Sequence, residues 1–282
     1  MTSNQSVSTW LQRPEGRISY EVSGDGPLVI LAPGMGDTRD VYRDLVPVLV
    51  DAGFRVAATD VRGHGDSDTG FTRYGDRATA GDLLALVDEL GGPAVLLGNS
   101  FAGSAAVIAA AERPDAVAGL VLVSPFLRGV GSAPARAAFR VLTRVMFARP
   151  WGARVWASYY RSVLNRGRRA PWLDDHVGSL RSQMSDPVRL AAFRRLAVSL
   201  DHREVEPAVR GVRAPALVVV GALDPDYRDP AAETRSMGEA LSAETLLVED
   251  AAHYAHAQRP DVVEPRILAF LDGRRDGARW DA

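Results

Sequence analysis

The chain has 282 residues, of which 46% are hydrophobic and 24% are charged, so it is long enough for a sizeable core and fits poorly with disordered, collagen-like or membrane-spanning classes. Its 33 basic residues, all of them Arg, and 35 acidic residues leave a net charge of −2, which argues against general nucleic-acid binding. Because the chain contains no Cys, disulfides, a thiolate nucleophile and sulfur-ligated zinc are excluded.

The N-terminal segment has none of the features of a signal peptide. Residues 1–15 are polar and lack a basic start, an apolar stretch and a small-residue cleavage site. No apolar run in the chain approaches the roughly 20 residues of a membrane helix. We therefore expect a soluble, cytoplasmic protein with no membrane partner.

Short β-type runs alternate with longer helical patterns along most of the chain. The first two runs, Arg17–Val22 and Leu28–Ala32, flank the turn signal Gly24-Asp25-Gly26-Pro27 and predict a hairpin that enters a sheet. Continuous apolar strands that alternate with helices indicate an α/β fold, a mostly parallel sheet with helices on both faces. Further strands are predicted at Arg55–Thr59, Ala94–Leu97, Gly119–Val123, Ala216–Val220 and Thr245–Val248, and helices at Val41–Asp51, Thr79–Leu90, Phe101–Glu112, Ala231–Leu241 and Asp261–Leu271.

One long block interrupts this alternation and differs from the rest of the chain in charge. Residues 126–205 hold 15 Arg against 5 acidic residues, a formal charge of +10, whereas the remainder holds 18 against 30, or −12. The block has no strand pattern and predicts helices inserted between two strands. We therefore expect a core of residues 1–125 and 206–282 and a helical cap, or lid, at residues 126–205.

Ser100 stands where a predicted strand runs into a predicted helix, in the sequence Gly98-Asn99-Ser100-Phe101-Ala102. A nucleophile on so sharp a turn needs small neighbours, which Gly98 and Ala102 provide. The helix N-terminus would also favour a developing oxyanion. Ser is a preferred helix N-cap on structural grounds alone, so an ordinary capping role is the alternative.

A Ser nucleophile needs a base, and the base needs an orienting acid. Asp224 follows a predicted strand and is preferred over Asp226 and Asp229 of the same loop because it lies nearest the strand end. His253 follows the next strand, with His256 as the alternative base. A metal site at the two histidines is disfavoured, since no third ligand accompanies them in the sequence.

These motifs resemble the α/β-hydrolase fold family from Arg17 to Leu271. The order Ser, Asp, His with a strand–turn–helix around the Ser is the family's order. The resemblance includes Ala32-Pro33-Gly34-Met35-Gly36, where the family has its oxyanion loop, and Asp60-Val61-Arg62-Gly63-His64-Gly65-Asp66-Ser67, which is similar to its D-x-R-G-x-G-x-S segment. It implies a catalytic triad of Ser100, Asp224 and His253, with an oxyanion hole of the Met35 and Phe101 backbone N–H groups.

The sequence departs from the family pattern at two positions. Ala102 stands where the family usually has Gly, a change that should be tolerated because it adds only a methyl group. Pro33 stands where many members have His. A dinucleotide-binding loop at Gly34–Gly36 is disfavoured because Arg39 replaces the third Gly of that motif. His64 is interpreted as a residue that braces its loop.

The expected function is that of a serine hydrolase that needs neither cofactor nor metal. It would cleave an ester, thioester or lactone bond of a small to medium, partly apolar substrate through an acyl-enzyme. Hydrolysis of a C–C bond in a dienoate is an alternative, because Gly98–Phe101 is similar to the elbow of meta-cleavage-product hydrolases. A cofactor-free perhydrolase and a non-catalytic ligand receptor are the others. A small molecule is the expected partner, and the oligomeric state, a homodimer included, is left open.

The basic block leaves one question open. Arg136, Arg140 and Arg144 are four residues apart and form one stripe on a predicted helix. The stripe indicates either a solvated face or side chains that reach over the site to hold an anionic group. The aromatic residues of the block, Trp151, Trp156, Tyr159, Tyr160 and Trp172, are interpreted as the block's own core.

Overall fold

The computed structural model describes residues 9–129 and 131–273, so residues 1–8, 130 and 274–282 of the expected core and cap lie outside the described residues. The described part contains eight strands, which form a single sheet in the order β1-β2-β4-β3-β5-β6-β7-β8. The strands are β1 Thr9–Arg13, β2 Gly16–Ser23, β3 Leu28–Ala32, β4 Arg55–Thr59, β5 Ala94–Asn99, β6 Val117–Val123, β7 Ala216–Gly221 and β8 Glu244–Val248.

The pairing of these strands confirms the predicted, mostly parallel sheet. The six strands from β3 to β8 pair with one another in parallel, whereas β1 and β2 pair antiparallel at one side of the sheet. The carboxyl ends of the parallel strands therefore open at a common edge. This is the edge at which open α/β sheets bind their ligands.

The predicted hairpin between Arg17–Val22 and Leu28–Ala32 is wrong. β2 pairs with β1, which was not predicted, and on its other side with β4, where Tyr20 lies opposite Thr59. All five residues of β3 are buried, and β3 lies between β4 and β5, where a strand on each side satisfies its backbone. The turn at Gly24–Pro27 therefore carries the chain past β4 and does not close a hairpin.

Helices cover both faces of the sheet. Alternate residues of a buried strand therefore enter two separate apolar clusters. In β3, Val29 and Leu31 belong to one cluster, and Leu28 and Ile30 belong to the other. The helices are α1 Leu45–Asp51, α2 Asp76–Leu90, α3 Phe101–Glu112, α4 Ala133–Met146, α5 Gly152–Tyr159, α6 Leu173–Ser185, α7 Pro187–Ser199, α8 Val205–Val209, α9 Pro230–Leu241, α10 Ala255–Gln258 and α11 Pro260–Asp272.

One predicted helix is divided. Val41–Asp51 was expected to be continuous, but a 3₁₀ turn at Arg39–Tyr42 precedes α1. Pro47 lies in the first turn of α1, where its missing N–H removes no helical hydrogen bond, whereas in a helix from Val41 it would.

The helical insertion, which we define as α4 to α7, lies between β6 and β7. A π-helical turn at Tyr160–Leu164 follows α5 directly. Apolar residues of α5, α6 and α7 are buried in the cluster that also contains Val29 and Leu31, whereas α4 packs on α7. The described residues of the block contain no strand, as predicted, and no described helix is long and apolar enough to span a bilayer.

Candidate active site

Ser100 lies on a strained turn between β5 and α3. Its φ of 59° and ψ of −130° are unfavourable for a residue with a side chain, at a cost of about 1–3 kcal/mol. Ser100 occupies the N-cap position of α3, but its side chain makes no capping hydrogen bond. The residue is only 8% exposed. The alternative of an ordinary N-cap is therefore wrong, and the strain points to a role for the hydroxyl group.

Small residues make this turn possible. A Cβ atom at Gly98 would lie 2.5 Å from both the carbonyl carbon of Ala102 and the nitrogen of Gly103, so β5 and α3 approach too closely for a side chain there. Ala102, the first departure from the family pattern, is fully buried and its methyl group is accommodated. The expectation of small neighbours is thus met by close backbone contact.

Asp224 and His253 are in direct contact at the same edge of the sheet. The Nδ1 atom of His253 lies 3.0 Å from Oδ2 and 3.2 Å from Oδ1 of Asp224, and both side chains are buried. The turn after β7 holds the carboxylate, which accepts a hydrogen bond from the Asp226 N–H at 3.0 Å. Asp229 has another task, since it caps α9 by accepting from the Ala232 N–H at 3.0 Å.

Asp226 supplies a second carboxylate that sequence reasoning ranked below Asp224. Its Oδ2 atom lies 3.3 Å from Nδ1 of His253, and its side chain is 27% exposed. Tyr159 at the end of α5 interacts with Asp226, and burial together with the charges of Asp226 and Asp224 raises the pKa of Tyr159 to about 12. Asp224 is thus the closer and drier partner of His253, and Asp226 adds a further negative charge.

The two carboxylates control the protonation of His253. Burial lowers the pKa of His253, but the charges of Asp224 and Asp226 and the Asp224 hydrogen bond outweigh burial and raise that pKa from 6.5 to about 9. Burial in turn raises the pKa of Asp224, yet the charge and hydrogen bond of His253 hold it below its usual value. The arrangement therefore stabilises the imidazolium that a general base becomes.

The same three side chains are the one described group with metal-like spacing, since Asp224, Asp226 and His253 each bring one ligand atom within 4.8 Å of the others. A metal-bound imidazole nitrogen needs a lone pair. The Nδ1 atom of His253 faces both carboxylates and donates its proton to them. These contacts suit a hydrogen-bonded histidine–carboxylate cluster better than a metal centre.

Two other buried histidines have structural surroundings. The Nδ1 atom of His64 lies 3.0 Å from the Arg62 carbonyl, which fits the predicted bracing of its loop. The His256 ring packs at a tilt against Tyr42 with ring centroids 5.1 Å apart, and neither of its ring nitrogens has a hydrogen-bond partner among the described residues. Burial lowers the pKa of each to about 4, so both remain neutral near pH 7.

Two backbone N–H groups flank Ser100. Met35 lies in the loop after β3, and Phe101 is the first residue of α3. Neither N–H donates a hydrogen bond to any residue that the structure describes. Gly34 brings this loop against the turn, because a Cβ atom there would lie 3.2 Å from Cβ of Ser100. Unpaired backbone donors close to a nucleophile are what an oxyanion hole requires.

Asn99, which sequence reasoning did not single out, connects the Ser and His loops. Its Nδ2 atom donates to the carbonyl of His253 at 3.1 Å and to that of Val123 at 3.2 Å. The side chain is fully buried. A polar residue at the end of an otherwise apolar strand was the signal available in the sequence, because such a group must find a partner.

Asp37, in the loop that also contains Met35, is fully buried and bound by the insertion. Its carboxylate accepts a hydrogen bond from the Tyr160 hydroxyl at 2.7 Å and lies 2.6 Å from Nε2 of His176. Arg43 donates to Nδ1 of His176 at 3.0 Å, so the ring proton lies on Nε2 and points to Asp37. The insertion thus supplies two of the partners of this buried carboxylate.

Trp156 of α5 makes a second contact with the same loop. Its Nε1–H donates to the Gly36 carbonyl at 2.9 Å. Gly36 has a φ of 73°, and a side chain there would collide with the Trp156 ring. Sequence reasoning missed this contact and those of Asp37 because their partners lie 120 or more residues apart. We call residues 34–38 the oxyanion loop, after the family loop that Ala32–Gly36 resembles.

The D-x-R-G-x-G-x-S segment braces the fold. Asp60 accepts hydrogen bonds from the backbone N–H groups of Arg39 at 2.8 Å and Asp66 at 3.0 Å. Burial raises the pKa of Asp60 to about 6, although the Arg39 charge opposes this shift. Arg62 pairs in bidentate fashion with Asp82 of α2 at 2.7 and 2.8 Å. These contacts give the segment a structural role.

The chain is similar to several known hydrolytic enzymes. A family profile described as "Alpha/beta hydrolase family" matches residues 29–266. The 2-(acetamidomethylene)succinate hydrolase of Mesorhizobium japonicum is 27% identical over 91% of this chain and 93% of its own length. Haloalkane dehalogenase 2 of Mycobacterium tuberculosis is 29% identical over 93% of each chain. The structure of a thermophilic esterase from Thermogutta terrifontis matches with a TM-score of 0.77 and 25% identity, over 96% of this chain and 99% of that one.

Proposed function

The chain belongs to the alpha/beta hydrolase family and is a hydrolase, and we propose that it cleaves an ester, thioester or lactone bond with Ser100 as its nucleophile. One observation carries the proposal. Ser100 occupies a helix N-cap position in a strained conformation without capping the helix, at the sheet edge where His253 contacts Asp224. Backbone strain that no capping hydrogen bond compensates is characteristic of a residue that is held in place for chemistry.

In the proposed mechanism, the Nε2 atom of His253 accepts the hydroxyl proton as the oxygen of Ser100 attacks the carbonyl carbon. Asp224 holds the imidazole in the required tautomer through Nδ1 and stabilises the imidazolium. The N–H groups of Met35 and Phe101 donate to the oxyanion of the tetrahedral intermediate. His253 then protonates the leaving group, and water repeats the sequence on the acyl-enzyme.

The identity of the nucleophile favours acyl substrates over the haloalkanes named for one relative. Attack by the Ser100 hydroxyl on an alkyl halide would leave an alkyl ether on the enzyme. Water does not cleave an ether under general-base catalysis, so the enzyme would stop after one event. Attack on a carbonyl leaves an ester, which the same base hydrolyses. We therefore assign an acyl-transfer reaction.

C–C bond hydrolysis of a carboxylate-bearing substrate is the second candidate. One relative is named for a succinate derivative, and the family resemblance at Gly98–Phe101 includes meta-cleavage-product hydrolases. Arg166, from the chain between α5 and α6, donates through Nε to the Leu223 carbonyl at 2.5 Å, next to Asp224. A cation next to the loop that holds Asp224 would suit an anionic substrate.

The nucleophile is tested by Ser100→Ala with a short-chain p-nitrophenyl ester. We expect kcat/KM to fall by about four orders of magnitude or more, because the whole triad loses its function with its nucleophile. Ser104→Ala removes the same group one turn further along α3, where it bonds the Phe126 carbonyl, and is expected to retain turnover. Retention of most activity by Ser100→Ala, with circular dichroism showing a folded protein, would overturn the assignment.

The class of substrate is tested by a panel. Purified protein is assayed with p-nitrophenyl acetate, a thioester, a lactone and a ring-fission dienoate, and with peroxide in place of water. Turnover of the first three with Ser100 intact supports acyl transfer. Turnover of the dienoate alone would favour C–C hydrolysis and overturn the first proposal.

A further inference from the structure

The outward side of α4 consists of large apolar residues, which we call the α4 face. Single exposed apolar residues are common, but a contiguous patch on one element marks an interaction site. Among the described residues, the comparably exposed large apolar side chains elsewhere are Trp10 and Val188. The α4 face comprises Phe139, Val141, Leu142, Val145 and, just after the helix, Trp151, which are 46% to 60% exposed.

The exposure follows from how α4 is seated. Thr143 is the buried residue of the helix, and the chain is anchored after it by the buried Phe147. Of the predicted arginine stripe, Arg140 lies toward the protein and pairs with Asp201 at 3.2 Å, whereas Arg144 is exposed. The helix is thus amphipathic in the inverse sense, with its apolar side turned to solvent.

The surroundings of the α4 face are strongly basic. Residues 126–173 contain ten Arg and neither Asp nor Glu. Arg144, Arg149 and Arg154 are exposed, and none of them forms an ion pair with a residue in the described ranges. Exposed apolar groups and unneutralised arginines therefore occupy the same part of the surface.

We propose that the α4 face docks on an anionic membrane surface. Large apolar side chains with Trp and Phe among them, bordered by Arg, are the composition of helices that lie in the membrane interface. The apolar groups would enter the headgroup and acyl boundary, and the arginines would contact the anionic headgroups. This docking departs from the expectation of no membrane partner, which rested on the lack of a spanning segment, and it does not depend on the proposed hydrolase chemistry.

The distribution of charge favours an anionic membrane as the binding partner of the α4 face. The block 126–205 carries +10 and the remainder −12, so an anionic surface attracts the insertion and repels the core, and thereby orients the molecule. A second copy docked α4 to α4 would bring two strongly positive blocks together. The convex helix presents protruding side chains, for which a soft bilayer interface requires no matching pocket, whereas an acidic protein would need one.

The apolar contribution is tested with vesicles of phosphatidylcholine alone and with about 30% phosphatidylglycerol, using cosedimentation of the full chain. We expect binding to the anionic vesicles and weak binding to the neutral ones. Val145→Ser should weaken the partition about tenfold, because one buried apolar side chain is lost from the interface. Val188→Ser is the matched control, since Val145 and Val188 are both 56% exposed and Val188 lies on α7. Both variants should keep their activity on a soluble ester.

The charge contribution is tested in the same assay. Arg144→Gln and Arg149→Gln are each expected to weaken binding to anionic vesicles about fivefold, with Arg210→Gln after α8 as the exposed control. Absence of binding to anionic vesicles, or equal losses in the control variants, would overturn the proposal. So would a concentration-dependent dimer that Val145→Ser abolishes, because a second copy would then cover the face.

Discussion

Two parts of the helical insertion, the α5–α6 segment and α4, contact the rest of the molecule in different ways. The segment from α5 to α6 reaches the oxyanion loop through buried polar contacts, from Trp156 to Gly36 and from Tyr160 and His176 to Asp37. α4 packs on α7 and leaves its apolar side in solvent. The insertion is therefore not uniform, because the α5–α6 segment is fixed to the core and α4 exposes an apolar side.

The difference has an energetic basis. Lifting α5 and α6 from the core would break two hydrogen bonds to Asp37 and one to Gly36, and it would expose apolar side chains that are now buried with Val29 and Leu31. α4 is held by the ion pair between Arg140 and Asp201, which is partly exposed, and by the buried Phe147, which packs against Phe193. We infer that the α5–α6 segment is a structural part of the site around residues 34–38, whereas α4 is available to bind something outside the chain.

The strongest test of this comparison removes the carboxylate. Asp37→Ala should lower the free energy of unfolding by about 3–5 kcal/mol, because it leaves Tyr160 and His176 buried without their acceptor, and should reduce kcat as well. Urea denaturation followed by fluorescence measures the first effect. Asp174→Ala, which breaks an exposed pair with Arg161 on the same insertion, should cost at most about 1 kcal/mol. Similar losses in the two variants would remove the distinction between fixed and exposed contacts.

A smaller test removes a single hydrogen bond from the α5–α6 segment. Trp156→Phe removes the N–H donor to Gly36, and about 1.4 kcal/mol of lost support for the oxyanion loop predicts a roughly tenfold lower kcat with little change in KM. Trp151→Phe is the matched control, since its indole also donates to a carbonyl, that of Val145, at 2.9 Å. Steady-state kinetics on a soluble ester should show the control within about twofold of the parent. Equal effects, or an effect on KM alone, would contradict a positioning role for Trp156.

The sequence predicted well what local patterns determine. The apolar runs located seven of the eight described strands, and the strand–turn–helix at Ser100 identified the nucleophile candidate because small residues at fixed offsets are required there. Asp224 and His253 followed from their places after strands, since carboxyl ends of parallel strands share one edge. Their contact at 3.0 Å agrees with that reasoning.

Long-range contacts and the choice of strand neighbours could not be read in this way. The hairpin prediction failed because a turn signal specifies a reversal of the chain but not which strand comes to lie alongside. The acceptor role of Asp37 depends on side chains more than 120 residues away. For α4, periodicity correctly grouped the arginines on one side, yet it did not reveal which side faces the protein.

The smallest expected effect concerns the second carboxylate beside His253, close to Tyr159 at the end of α5. His253 must be neutral to accept the Ser100 proton, so a pKa raised to about 9 predicts that kcat/KM increases with pH above 6.5. Asp226→Asn removes one of the charges that raise this pKa and should move the acid limb of the pH profile to lower pH. Because Asp226 is partly exposed, we expect a shift of about half to one pH unit. Arg144→Gln on α4 should leave the midpoint unchanged. A midpoint that stays in place in Asp226→Asn, or moves upward, would exclude Asp226 from control of the base.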